Sequence, residues 1–447
     1  LDMFIIEWIN AVISGPAMLI AVFGAGIFFL CRTRFFFILH PIRVARLLFY
    51  RDKKVSGGIS PFRALCNALA GTLGVGNIVG VATAIAAGGA GAVFWMWISA
   101  LCAMVLKYAE VVLGVKYRSE SESGIHGGAP YYIRDALKKP RLAVFFAVCL
   151  IVASFSLGCS VQSRAVADAA EITFGIHPAL TGGVLAVICL AVLIGGLRSV
   201  SGFTVRIIPA LTVGFIAMSL VSVAVRISDV PAVIGDIFAS AFDLDSALGG
   251  IFGFLTSRAV RYGIARGIAS NEAGCGTAPT AHASAITDSP VRQGLWGLME
   301  VAVDTLLLCT LTALVILLNR AENTGDGIAP VIAGFEGFWK GFAPAAITVS
   351  IFFFALATLI CWSYYGLEAL NFISPGSRWQ RVYLAVFCLS VVPMCCMDTL
   401  FLWELSDLVV GVMTVINVFV LITRSGEISR ATREFFGNGT RRVRRDR

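Results

Sequence analysis

Residues 66–90 are apolar enough for a bilayer yet carry GTLGVGN, from Gly71 to Asn77, at their centre. Glycine in a helix interior costs roughly 1 kcal/mol against alanine and lets the backbone leave the helix. Loosened backbone in hydrocarbon must be buried in protein or line a water-filled cavity, because its N–H and C=O groups need partners. Such a segment offers free carbonyls to a cation and free amides to a carboxylate. The partial positive charge of a half-helix N-terminus adds to the latter. A zwitterionic solute with a monovalent cation is the ligand pair this chemistry suits. A second stretch, RYGIARGIASNEAGCGTAPTAHASA (261–285), has Gly263, Gly267, Gly274, Gly276 and Pro279. It lies in an apolar segment, 247–288, that would reach about 63 Å as one helix against a hydrocarbon core of about 30 Å. It must break, bend or protrude, and one span followed by a cytoplasmic helix is the plainer alternative.

The elements that position these stretches follow from composition. The 447 residues are 58% hydrophobic and 14% charged, against about 25% charged in soluble domains. An integral membrane protein is the consequence. Hydropathy over windows of about 20 residues predicts eleven spans, near 11–31, 66–90, 92–115, 142–166, 179–197, 207–226, 247–288, 295–318, 344–367, 381–398 and 402–423. Stretches 32–65, 116–141 and 424–447 hold 22 of the 35 lysines and arginines, while the alternate connections hold only Arg320 and Lys340. The positive-inside rule then expects the N-terminus outside and the C-terminus in the cytoplasm. The net charge of +8 follows this topology and gives no reason to expect nucleic-acid binding. Positions 1–10 carry Asp2 and Glu7 without a basic residue, unlike the start of a signal peptide.

The chain reads as one membrane domain. An N-terminal helix and basic loop (1–65) precede two halves, 66–226 and 247–423, and a basic tail (424–447) follows. Each half opens on an interrupted segment, and the two run in opposite directions, as an inverted repeat demands. The expected fold is all-α, with eleven transmembrane helices, arranged as one N-terminal helix plus a five-plus-five inverted repeat with two broken helices.

Five ordered blocks, AGTLGVGNIVGVATAI (70–85), FWMWISALCAMVLKYAEVVLGVKYR (94–118), ARGIASNEAGCGTAPTAHASA (265–285), VRQGLWG (291–297) and WSYYG (362–366), carry a resemblance. Through them the sequence resembles the alanine/glycine:cation symporter family, itself similar in fold to the five-plus-five (LeuT-like) transporters. The resemblance implies sodium-driven uptake of alanine or glycine by alternating access in a bacterial inner membrane. It implies no enzymatic cofactor, only sodium as coupling ion, and no obligate protein partner. It places sodium at Ala70, Leu73 and Thr358, with the Asn77 amide oxygen directed to the same region. It places substrate at Thr72, Gly74 and Gly76 from the first break and Gly267, Ser270 and Asn271 from the second. Gln162 would meet the α-amino or carboxylate group, and Trp362 would wall the side-chain pocket. An interhelical hydrogen bond for Gln162 and an interfacial position for Trp362 are the structural alternatives. Cys275, Thr277 and Ala357 depart from the family's usual methionine, serine and serine, which bears on substrate size and sodium affinity.

Ionisable residues inside spans are functional candidates. Lys107 and Glu110, three apart, are expected to neutralise one another. Glu272 adjoins the second break, where it would cap freed N–H groups or pair an arginine, and Asp304 is the carboxylate best placed if protons replace sodium. Arg258 and Arg261 are candidates for an external vestibule. His40, His126, His177 and His282 fall at or outside the predicted span ends, and neither HExxH nor GxSxG occurs, so no enzyme is expected. The twelve cysteines, mostly within spans, behave as small hydrophobes. A channel is the other contrasting class, disfavoured by a single asymmetric site.

Overall fold

The computed structural model describes residues 16–48, 58–121, 124–242, 258–322, 324–325, 327–397 and 399–443. Asp2, Glu7, Asp243, Asp245, residues 247–257 of the second interrupted segment and 444–447 of the basic tail lie outside them. Helix α1 (Pro16–Arg32) precedes α2 (Pro61–Thr72) and α3 (Val79–Gly88). Next come α4 (Gly91–Lys116), α5 (Pro140–Phe174), α6 (Pro178–Leu193), α7 (Gly196–Val225) and α8 (Val230–Ala241). Then follow α9 (Arg258–Asn271), α10 (Ala278–Ala283), α11 (Pro290–Leu318), α12 (Ala343–Ile373), α13 (Ser377–Cys396), α14 (Thr399–Thr423) and α15 (Ser425–Val443). A short hairpin pairs Ser119–Ser121 with Gly124–His126.

Local sequence sets the helix starts. Pro61, Pro140, Pro178 and Pro290 open α2, α5, α6 and α11, where a missing N–H costs nothing. Ser60 and Ser289 accept from the backbone N–H of Arg63 and Arg292. Gly175, at φ 65°, ends α5 in the left-handed region.

Seven described helices are long and apolar enough to cross a membrane: α4, α5, α7, α11, α12, α13 and α14. The expected spans missing from that set are the shorter ones. Description of α1 begins at Pro16, α6 is 16 residues long, and the segments around 71–77 and 272–277 are each split in two. Helix α4 lies at the centre. It packs against α1, α9 and α11, while α12 packs along α5 and α2, and α6 lies along α13. Val187, Val213 and Leu389 are exposed on the outer helices, as lipid-facing side chains are.

Candidate functional site

The first interruption runs from Leu73 to Ile78, where a single short turn (Val75–Asn77) replaces the α-helix. Two of its neighbouring backbone groups find side chains from distant helices. Val75 N–H donates to Gln162 Oε1 (3.1 Å) on α5. Thr358 Oγ1 on α12 donates to the Ala70 carbonyl (2.9 Å) at the end of α2. Gly74 stands between them, and a Cβ there would lie 2.6 Å from Gln162 Oε1 and 2.9 Å from Thr358 Oγ1.

The second interruption, Glu272–Thr277, has the same economy. Glu272, Gly274 and Gly276 adopt φ of 53°, 89° and 79°, the left-handed turn that ends α9, and only Glu272 has a Cβ to strain there. Gly276 N–H donates to Glu110 Oε1 (2.9 Å) on α4, and Asn417 Nδ2 on α14 reaches both Glu110 Oε1 (2.6 Å) and the Gly274 carbonyl (2.8 Å). Tyr132 donates its hydroxyl to Asn417 Oδ1 (2.5 Å), completing the set. Backbone that leaves a helix inside a bilayer is thus served by buried side chains.

The two interruptions meet, since a Cβ on Gly76 would lie 3.3 Å from Ser270 Cα. At that junction Asp304 on α11 accepts from Asn77 Nδ2 (2.7 Å), Ser270 Oγ (3.0 Å) and Thr305 Oγ1 (2.7 Å), all buried. Asn77 Oδ1 has no hydrogen-bond partner there. Leu73, Gly74, Asn77, Phe215, Leu308 and Phe354 surround a cavity of about 10 Å3, too small for a solute in this conformation.

The expected residues therefore divide. Ala70, Gly74, Gln162 and Thr358 come together at the first break, and Gly76, Asn77 and Ser270 at the junction. Leu73 lines the small cavity beside Gly74. Thr72 Oγ1 turns back to the Ala68 carbonyl (3.4 Å) of its own helix. Asn271 Nδ2 takes the Gly267 carbonyl (2.7 Å) and reaches Thr305 Oγ1 (3.2 Å), while Gly267 itself abuts Ser99 and Met96 of α4. Trp362 is fully buried against Gly158, so it is not an interfacial anchor. Its indole N–H donates to Glu272 Oε1 (3.2 Å), and Thr277 donates to Glu272 Oε2 (3.0 Å). Among the described residues Glu272 thus neither caps N–H groups nor pairs an arginine.

Two further expectations are corrected. Lys107 pairs with Glu300 Oε1 (3.2 Å) on α11, not with Glu110, which faces the second break. Residues i and i+3 share a helix face only broadly, and tertiary partners on α11, on α14 and in the second break divided them. His282, expected near a span end, is fully buried, sits 3.2 Å from Glu300 Oε2 and accepts from Gln293 (2.8 Å). Asn417, Tyr132 and Thr305 were not singled out from sequence. A lone asparagine in the apolar run 409–422 was the available signal for the first.

Two interrupted helices meeting at the centre of an apolar bundle, each with its freed backbone held by buried side chains, define a membrane transporter of the broken-helix type. The chain belongs to the sodium:alanine symporter family, whose model matches residues 2–445. It is a multi-pass, cation-coupled amino-acid transporter and not an enzyme. It is 36% identical to the sodium/alanine symporter AgcS of Methanococcus maripaludis, over 96% of each chain. It is 33% identical to the probable sodium/glutamine symporter GlnT of Bacillus subtilis, over 95% of this chain and 89% of that one. In fold it is similar to MhsT in complex with L-phenylalanine, with a TM-score of 0.60 at 13% identity, covering 85% of this chain and 93% of that one.

Proposed function

We propose that this protein imports small neutral amino acids, alanine or glycine, by coupling their entry to sodium through alternating access. The observation that carries the reading is the pair Ala70 O and Thr358 Oγ1, 2.9 Å apart beside Gly74. Two neutral oxygens on separate helices suit a hard monovalent cation, and either helix can withdraw its ligand when the protein changes state. Leu73 contributes its carbonyl to the same ion. Asn77, with its free Oδ1, serves the adjoining junction. Gly74, Gly76, Thr72 and Gln162 meet the amino acid from the first break, and Gly267, Ser270 and Asn271 from the second. Trp362 limits its side chain.

The architecture in this reading is eleven spans, with α1 outside a five-plus-five inverted repeat in which α2–α3 and α9–α10 are the equivalent broken members. The lysine and arginine distribution supports an orientation with the N-terminus outside and α15 in the cytoplasm, and the family resemblance makes a bacterial inner membrane the location. GlnT's name makes glutamine the substrate most worth setting against alanine.

A second reading, proton coupling, is favoured by the burial of four carboxylates, Glu110, Glu272 and Glu300 near Lys107 and Asp304 at the junction of the two breaks. Uptake of radiolabelled alanine into proteoliposomes separates the two. An inward sodium gradient alone is expected to drive accumulation. Uptake that needs a proton gradient and ignores sodium overturns the cation site and moves attention to Asp304. Glutamine uptake in place of alanine overturns the assignment of substrate size.

A further inference from the structure

A cavity of about 480 Å3 opens where the start of α2, the end away from the first break, meets the turn between α6 and α7. Arg63, Arg198 and Arg206 line it together with Val192, Ser199 and Phe203. We propose that this cavity binds the headgroup of an anionic phospholipid. All three arginines are exposed, and among the described residues none is paired with a carboxylate. Among the described residues Arg206 makes only a local contact, from Nη1 to the Gly202 carbonyl (3.2 Å). Guanidinium groups present forked donors that match phosphate oxygens, and three around one opening leave that charge unanswered among the described residues.

The surroundings select a lipid over a soluble anion. Val192 and Phe203 are half-buried in the wall, and Phe62 and Ile194, next to it in sequence, are 47% and 74% exposed. Cations beside exposed apolar side chains mark the level at which headgroup and acyl chain part. Basic pockets between transmembrane helices on the cytoplasmic side are suited to such headgroups. The placement on that side rests on the orientation proposed above. A headgroup there would bridge α2, through Arg63, to α7, to which α2 is already tied by Thr204 Oγ1 donating to Asn67 Oδ1 (2.5 Å).

The test is native mass spectrometry of the full chain in neutral detergent, titrated with dioleoylphosphatidylglycerol, dioleoylphosphatidylcholine or inorganic phosphate. Phosphatidylglycerol adducts are expected to persist where phosphatidylcholine adducts do not. Arg198→Gln alone should lower their occupancy about fivefold, and Arg63→Gln/Arg198→Gln/Arg206→Gln on the order of a hundredfold. A Lys138→Gln/Lys139→Gln/Arg141→Gln control, on the same side but outside the cavity, should bind as wild type. Equal retention of both lipids, undiminished phosphatidylglycerol binding by the single and triple variants, or its displacement by millimolar phosphate overturns the proposal.

Discussion

Trp362 donates its indole N–H to Glu272 Oε1 across 3.2 Å, fastening the middle of α12 to the residue that ends α9. The same carboxylate accepts from Thr277 on the far side of the break, so one side chain spans the interruption and fixes the indole. Gly158 leaves no room for a Cβ beside Trp362, so the ring cannot shift toward α5 without moving that helix.

Shortening Trp362 should therefore change selectivity before it abolishes transport. Trp362→Ala is expected to let glutamine compete with alanine uptake at least tenfold better, at a stability cost of about 3–5 kcal/mol. Trp362→Phe keeps the wall but leaves Glu272 short of a donor, costing about 1–3 kcal/mol. Competition assays and thermal melts check these values. An unchanged ratio of alanine to glutamine in Trp362→Ala would remove Trp362 from the pocket.

Thr358→Ala should raise the sodium concentration for half-maximal uptake about tenfold, the worth of one ligand at roughly 1.4 kcal/mol. Thr358→Ser retains the hydroxyl near Ala70 and should stay within a few-fold of wild type. Uptake measured across a sodium series decides it. An unaltered sodium dependence in the alanine variant means that the ion does not sit between α2 and α12.

Lys107 and Glu300 are a buried pair, and removing one member strands the other. Lys107→Met is expected to cost about 3–5 kcal/mol, with Lys107→Met/Glu300→Leu recovering part of the loss. Thermal unfolding of the single and double variants in detergent measures both. A double variant less stable than the single would show that Glu300 matters more to His282 than to Lys107.

His126, in the hairpin outside the spans, lies with Nδ1 2.9 Å from Glu368 Oε2. That contact raises the imidazole above its ordinary 6.5, with partial burial opposing. A raised folded-state value means the contribution is complete below about pH 6.5 and fades as pH climbs through the raised value. Glu368→Gln should melt below wild type at pH 6, and the gap should close by pH 9. A gap of equal size at both pH values would show that the contact is not an ion pair.

Much of this molecule was legible in the sequence because hydropathy and glycine placement act locally. The apolar runs fixed α4, α11, α13 and α14 to within about five residues, while α7 starts near Gly196, ahead of the predicted 207, and α5 and α12 run on to Phe174 and Ile373, past the predicted 166 and 367. The GTLGVGN and NEAGCGT stretches marked both interruptions, since a glycine-rich run weakens a helix wherever it falls. Family resemblance supplied the meeting of Ala70 with Thr358, residues 288 positions apart. What no local rule could supply was the partner of each buried charge. Lys107 has Glu110 one turn away, yet the packing of α4 against α11 gave it Glu300, and the turn at Gly276 claimed Glu110. A carboxylate in a low-dielectric interior takes whichever donor reaches it within about 3 Å. That choice depends on how separate helices are set against one another, and only the tertiary structure decides it.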